Sequence, residues 1–448
     1  MGKQGNSIEY RVLLCRYNEI GLKSAPYQKK LLTILVDSIK KICSREDLTL
    51  QSALTLSGRL IFFFPSNEIP KAITVFQHII GVQSISPALS VERKYEKLKQ
   101  KFILYALSLL KDGDSFKINF KTSVSYAVKE SDLKKEFSNE IVKRMNQSGY
   151  HVKVTQKNPK YQFSIEIREK GVYIYAFSIP TLFAGFPIET KNSLLCLWDD
   201  VAFDLIAAMM LVRRGSVVSP VIFHREISSN PFKISSNSRE SLEVMASFYS
   251  HPIPVHIFSH LAIEKKLIEI LKPNQNLEHY VEFASMKLLD IMMSQSRDES
   301  VYTYNNRNLH YRGIISSNSL SNSDFFSNIK KNNILLFTPL TGLTPKFIQK
   351  ISKQLFKSSE VFNMNSLIKG NINDFSFNDE VIKSISDNQF KNSAENGSYN
   401  PNFNNDIPNY DEIQQFFNKS ENQTFFNKII ENHEIVYVSG RIFPKNDK

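Results

Sequence analysis

Apolar residues along this chain fall into short runs rich in β-branched and aromatic residues, alternating with longer stretches whose apolar positions recur every three or four residues. The first pattern predicts strands and the second helices. Residues 8–66 read as a strand (Tyr10 to Arg16), a helix (Gln28 to Cys43) and a strand (Arg59 to Pro65), a small α+β unit. A helical stretch over 70–81 leads into a second unit. Its helices are Glu92 to Leu110 and Leu133 to Met145. Its strands are Ser115 to Lys121, His151 to Gln156, Gln162 to Arg168 and Val172 to Ser178. Pro180 to Thr190 is a turn-rich linker.

After the linker the pattern changes. A strand (Leu194 to Leu197) runs into a helix ending at Arg213-Arg214-Gly215, followed by a strand at Val217 to Phe223. Further alternation is expected at Arg239 to Tyr249, Val255 to Phe258, Glu282 to Met293, Leu335 to Thr338 and Pro345 to Phe356. Strands alternating with helices predict a parallel sheet covered on both faces. Residues 361–422 hold 15 Asn in 62 positions without apolar period and read as an insert without a packed core. A helix at Phe425 to Ile430 and a strand at Glu434 to Ser439 are expected to return to the fold.

Charge sharpens this division. The chain carries a net charge of +12, and its distribution is lopsided. Residues 1–190 hold 29 Lys+Arg against 17 Asp+Glu, a balance of +12, whereas the remaining residues hold 27 of each. An anionic partner such as nucleic acid fits the first part, and a solvated basic face is the plainer alternative. Only three cysteines occur, Cys15, Cys43 and Cys196, with no CxxC spacing. That excludes a disulfide framework or cysteine zinc site and fits a reducing cytoplasm. No apolar run approaches the roughly 18 residues that span a bilayer, and the first residues lack the apolar core of a secretion signal.

Two segments invite chemical readings. In RYNEIGLKS (residues 16–24), Arg16, Lys23, Lys29 and Lys30 lie around one turn, an anion-binding pattern. In the second, Asp199-Asp200-Val201-Ala202-Phe203-Asp204 fills the position between a strand and a helix where α/β proteins bind nucleotide phosphates. Such a loop needs glycines so that backbone N–H groups can approach the anion, and this one has none. Each aspartate would oppose a phosphate by about 1–4 kcal/mol at ~4 Å. A Mg²⁺ held by them would reverse the sign, and capping of the following helix is the plainer role. Trp198, the single tryptophan, opens the loop, a position from which it could fill the nucleotide's place. His251, His256 and His260 share no ligand spacing and read as packing or surface residues, so no metal is expected.

The order of segments resembles the ThiI-type tRNA 4-thiouridine sulfurtransferases. RYNEIGLKS is similar to their opening motif. GVQSISPALSV, GDSFKINFKTS and FSIEIREKGVYIYAFSIPTLFAGFPIET resemble their THUMP domain and the linker after it. LIAAMMLVRRG resembles the helix after their pyrophosphatase loop, and IISSNSLSNSDFFSNI and LLFTPLTGLTPKFIQKISKQL resemble two later segments. The resemblance runs in order over about residues 8–357, with a weaker stretch near 423–440.

It implies an N-terminal ferredoxin-like domain (1–66), a THUMP RNA-binding domain (67–182), a linker (183–192) and a Rossmann-like, degenerate PP-loop ATP-pyrophosphatase domain (193–360). The Asn-rich insert (361–422) and a C-terminal helix and strand (423–448) complete the chain. The fold class is thus multidomain, α+β followed by α/β. The first two domains would hold the acceptor end of tRNA, with Arg16, Lys23, Lys29, Lys30, Lys117, Lys121, Lys153 and Lys157 as candidate phosphate contacts. Lys117 and Lys121 share one strand face by their even spacing.

The chain departs from the family where its chemistry lies. DDVAFD stands in place of Ser-Gly-Gly-x-Asp-Ser, and the region expected to carry the persulfide cysteine contains none. Persulfide transfer needs an accessible thiolate, whereas Cys196 lies inside an apolar strand. In the linker, Ala184 and Glu189 stand where the family favours glycines. The expectation is a cytoplasmic tRNA-binding pseudoenzyme without catalytic residues or cofactors. Its alternative is an active ATP- and Mg²⁺-dependent sulfurtransferase with an altered loop and an external sulfur donor. Besides tRNA, open partners are an active sulfurtransferase, a sulfur carrier or a second copy in a homodimer.

Overall fold

The computed structural model describes residues 8–124, 128–198, 201–224, 236–271, 277–298, 302–304, 306–316, 335–340, 426, 429 and 433–442. The expected helix at Pro345 to Phe356, the Asn-rich segment and most of Phe425 to Ile430 lie outside them. Contacts divide the chain into two compact units, one holding residues up to Phe186 and the other beginning at Pro187.

The first unit has one sheet. Its strands are β1 (Val12–Arg16), β2 (Ser52–Leu56), β3 (Arg59–Phe63), β4 (Ser84–Val91), β5 (Ser115–Thr122), β6 (Lys153–Val154), β7 (Tyr161–Arg168), β8 (Gly171–Tyr175) and β9 (Ile179–Pro180). They lie in the order β2-β3-β1-β4-β8-β7-β5-β6, with β9 on β4. Helices α1 (Ala25–Arg45), α2 (Ile69–Gln77), α3 (Tyr95–Leu109) and α4 (Glu130–Gln147) accompany it. Alternation along the strands aims one set of side chains at these helices. Phe62 and Phe64 meet Phe76 of α2, Phe163 meets Phe102 of α3, and Phe120 meets Phe137 of α4.

Strand β4, absent from the sequence reading, stitches the unit together. Its Ser84–Ala88 portion pairs with β1 and its Leu89–Val91 portion with β8, so strands before and after residue 66 share one sheet. The sheet also curls. In a flat sheet, β3 and β7 would be about 19 Å apart, four strand spacings. Yet Arg59 of β3 donates from Nε to Glu166 of β7 at 3.0 Å, and Arg168 donates to the Ser57 carbonyl at 3.3 Å. On the concave face this brings Val12, Leu14, Ile61, Ala88, Tyr173 and Tyr175 into a second, smaller core.

The second unit is the expected parallel sheet. Its strands are β10 (Glu189–Leu197), β11 (Ser216–His224), β12 (Ile253–Ser259), β15 (Tyr311–Ile315) and β16 (Leu336–Phe337), in the order β16-β15-β10-β11-β12. A last strand, β17 (Glu434–Val438), adds antiparallel to β12, as the returning C-terminal strand was expected to do. A small hairpin of β13 (Thr303–Tyr304) and β14 (Arg307–Asn308) precedes β15. The helices are α5 (Val201–Val212), α6 (Ser236–Ser247), α7 (His260–Ile270) and α8 (Leu277–Asp298). Strand β10 begins at Glu189, inside the stretch read as linker. Beyond β17 the chain lies so close to α6 that a Cβ on Gly440 would stand 1.9 Å from the Glu243 carbonyl.

Glu166 is the most consequential polar residue of the first unit. Its carboxylate is buried and accepts from Arg59, Arg168 and the Tyr175 hydroxyl. Burial alone would push the carboxyl pKa up, but the hydrogen bonds from Arg59 and Tyr175 and the arginine charges outweigh it and hold it at about 2. Glu166→Ala is expected to cost about 3–5 kcal/mol, as when one partner of a buried ion pair is removed, and to speed amide exchange in β3 and β7. The folded carboxyl, at about 2, lies below an unfolded value of ~4.3. Its contribution is therefore complete above ~4.3 and lost as pH falls towards 2. Acid unfolding of Glu166→Gln should lack this component.

Candidate nucleic-acid interface and the strand–helix junction

The sheet places most of the sequence-selected cations of the first unit on or beside its concave face. Lys121 pairs in register with Glu166, and Lys117 with Gln162. Lys153 of β6 stands beside Ser115, on the face shared by Lys117 and Lys121. The three lysines thus form a row along one edge of the face, Lys117 and Lys121 being about 13 Å apart at strand rise. Lys157 lies in the exposed loop after β6, its backbone tied to the Thr155 hydroxyl.

Arg16, at the end of β1, points its guanidinium over the Tyr175 ring at 4.9 Å. It donates from Nη1 to the hydroxyls of Ser84 and Ser86 at 3.3 and 3.0 Å. Burial lowers the Lys121 pKa, and repulsion from Arg59, Arg16 and Arg168 adds to that, while Glu166 opposes it. Four cations therefore surround one carboxylate. The sequence reading missed Arg59, Arg168, Glu166 and Tyr175. Their signal was the same even spacing that selected Lys117 and Lys121, but the curl that joins β3 to β7 has no local signature.

The remaining cations lie around the β1–α1 loop. Lys23 sits over the Phe186 ring at 5.0 Å and Lys30 over Tyr27 at 5.2 Å. Lys29 is exposed on α1. Tyr17 of this loop accepts from the Gly58 N–H at 3.2 Å, which fixes the loop against the β2–β3 turn. The Pro180–Phe186 segment arrives through the Gly81 N–H, which donates to the Ala184 carbonyl at 2.8 Å. Ala184 adopts φ 46°, the left-handed region that favours glycine, so the alanine keeps the backbone shape at some strain. The two motif segments that open and close the first unit thus meet at Lys23 and Phe186.

In the second unit, β10 lies between β11 and β15, where the strand order reverses, and its carboxyl end borders the crevice that α/β folds use for ligands. Asp199 and Asp200 lie outside the described residues. Val201, Ala202, Phe203 and Asp204 belong to the first turns of α5 instead of forming a loop, so the stretch read as one six-residue loop is mostly helix. The reason is composition: with no glycine to hold an open backbone, an apolar run after two aspartates winds directly into helix. Asp204 is buried. Trp198 is 3% exposed, its backbone N–H donates to the Val221 carbonyl at 3.0 Å, and its indole Nε1 has no partner among the described residues.

The three histidines are held apart. His256 is buried, bonded through Nε2 to the Tyr311 hydroxyl at 2.9 Å, and burial lowers its pKa to about 3. His260 pairs with Glu264 at 3.2 Å, and His251 meets the Tyr304 ring edge-on. The neighbour that the sequence did not suggest is His433, 3.4 Å from His256 and brought there by the pairing of β17 with β12. All three cysteines are buried and none is in a disulfide. Burial raises the pKa of Cys15, and raises that of Cys43 to about 12. No helix among the described residues is long and apolar enough to cross a membrane.

The THUMP domain family matches residues 92–176. A probable tRNA sulfurtransferase of Staphylococcus epidermidis is 24% identical over 355 residues, 78% of this chain and 81% of the relative. One from Methanocaldococcus jannaschii is 24% identical over 352 residues, 77% and 87%. Among solved structures, a 4-thiouridine synthetase–RNA complex with bound ATP matches with a TM-score of 0.66 at 15% identity, covering 96% of this chain and 100% of that one. A Pyrococcus horikoshii protein matches with a TM-score of 0.56 at 20% identity, covering 77% and 99%. The chain contains a THUMP domain, and the resemblance to the ThiI-type family read from its motifs holds. So does the fold class, a mixed α/β multidomain chain with a parallel sheet.

A thiol reagent at pH 8 is expected to label none of the three cysteines in the folded chain and all three after denaturation, since burial rather than pairing protects them. Rapid native labelling of Cys196 would show an accessible thiol and overturn that expectation.

Proposed function

We propose that this chain binds tRNA through its first unit and acts in tRNA modification without carrying out ATP-dependent thiolation of its own. The observation that carries the binding half is the row of cations on the concave sheet face. Arg16, Lys121, Lys117 and Lys153 lie there, in the part of the chain that holds the whole excess of basic charge. Phosphate contacts of this kind give affinity independent of base sequence, and the solved relative that contains RNA supports the choice of ligand.

The second half rests on chemistry the residues do not supply. No glycine occurs from Trp198 to Asp204, so the backbone at the end of β10 lacks what a triphosphate needs for close approach. Asp204 adds a carboxylate to the first turns of the helix whose N-terminus would face that anion. The thiols of Cys15 and Cys43 are buried with raised pKa values, and Cys196 is buried within β10, so no persulfide carrier is at hand. In this reading the chain works as binder or partner, beside an active sulfurtransferase or a sulfur carrier. One observation favours the alternative, an active enzyme with an altered loop and an external sulfur donor: β10 and α5 keep the strand-to-helix arrangement at the point where the strand order reverses.

Two measurements decide between these. Affinity for tRNA should fall with salt, log K losing about 0.7–0.9 per phosphate contact for each unit of log salt. Lys117→Gln with Lys153→Gln should flatten that slope by about 1–2 and weaken binding severalfold. A salt-independent affinity would count decisively against the RNA reading. ATP with Mg²⁺ should show no binding below the millimolar range by calorimetry, and micromolar Mg²⁺-dependent binding would restore the enzyme reading.

A further inference from the structure

The cations around Glu166 outnumber what that carboxylate can neutralise. Arg59 and Arg168 are committed to it, Arg59 through Nε and Nη2 and Arg168 through the same atoms. Their remaining recorded donors go to the carbonyls of Gly58 and Ser57. That leaves Arg16 and Lys121, two further positive charges facing the same place. Arg16 meets hydroxyls, those of Ser84, Ser86 and Tyr175, and joins no ion pair among the described residues. The Ser84 and Ser86 hydroxyls accept from Arg16 and keep their own protons to donate. Ser86 is fully buried, whereas Lys121 is exposed and joins no ion pair among the described residues.

A guanidinium fixed over an aromatic ring, an ammonium outside any ion pair among the described residues and two hydroxyls with protons to donate lie on one face of a curled sheet. Arginine with hydroxyl donors suits the geometry of a phosphate. With Glu166 counted, the cluster keeps three positive charges, more than a singly charged diester would offset. We propose that Arg16, Lys121, Ser84 and Ser86 form a seat for one phosphate monoester dianion, supplied by the 5′ end of an RNA strand. This rests on the RNA-binding reading above for the source of the phosphate, but not for the seat itself. Glu166 is then a positioning residue: it holds Arg59 and Arg168 close enough to keep the place strongly positive without touching the ligand.

The test uses the full chain and two probes. Inorganic phosphate, compared with chloride at equal ionic strength, should raise the midpoint of thermal unfolding, and Lys121→Met should abolish the difference. Lys121 is exposed and joins no ion pair among the described residues, so the variant is expected to fold. In the second arm, an acceptor-stem RNA with a 5′-phosphate should bind about tenfold tighter than the same RNA with a 5′-hydroxyl, a preference reduced to about one in Lys121→Met. No phosphate-specific stabilisation of the parent chain would overturn the seat. Stabilisation by phosphate with equal affinity for the two RNAs would overturn the assignment to an RNA end and leave a small phosphate ligand. Failure of both RNAs to bind would sink the RNA reading, while the phosphate arm would still decide the seat.

Discussion

The carboxylate of Glu166 joins strands that the sheet order separates, and much of the first unit depends on that junction. Without it, Arg59 and Arg168 would be two unneutralised guanidiniums facing each other in a nearly dry space, an arrangement that electrostatics would open. With it, β3 is held against β7, the β2–β3 turn meets Arg168, and the concave face closes over a small apolar core. One ion pair thus converts a long sheet into a curved one. The curvature then brings Arg59 towards the row of lysines on that face.

This arrangement gathers part of the basic excess of the first part of the chain on one face. Some of the charge is spent structurally: Lys160 on Asp114, Lys99 on Glu136 and Arg45 on Glu46. On the concave face, Arg16, Lys117, Lys121 and Lys153 join no ion pair among the described residues, and around the β1–α1 loop Lys23 and Lys30 lie over aromatic rings. Cations beside exposed aromatic faces suit RNA, whose unpaired bases stack while its phosphates seek charge. The second unit also uses polar residues in its interior. Three of its polar residues, His256, Tyr311 and Ser219, form one buried hydrogen-bonded chain and serve the packing of the sheet.

The two units also differ in how far sequence could be read. In the first, most helices and strands follow from apolar period. Two of the missed strands have clear causes: β2, SALTL, is an edge strand with few large apolar residues, and β4 carries a proline and three serines. In the second unit, the alternation of strands and helices announced the parallel sheet, while α7 went unnoticed because its apolar positions follow β12 without a break. Among site residues, Lys117, Lys121 and Lys153 were legible because strand alternation is local. Arg59, Arg168 and Glu166 were not, since their meeting depends on a curl built from strands more than a hundred residues apart.

By itself, the sequence determined three properties of this protein: the segregation of basic charge into its first part, the order of its two kinds of architecture, and the absence of glycine from Trp198 to Asp204 and of cysteine after Cys196. These are properties of residue type and local spacing, which no folding can alter. Tertiary structure decided which cations are neutralised and which are left open, that the aspartate stretch is mostly the start of a helix, and that His256 finds His433 in place of a metal-ligating neighbour. Those outcomes depend on distances between segments remote in sequence. Such distances are set by sheet pairing, and in the first unit by one buried carboxylate.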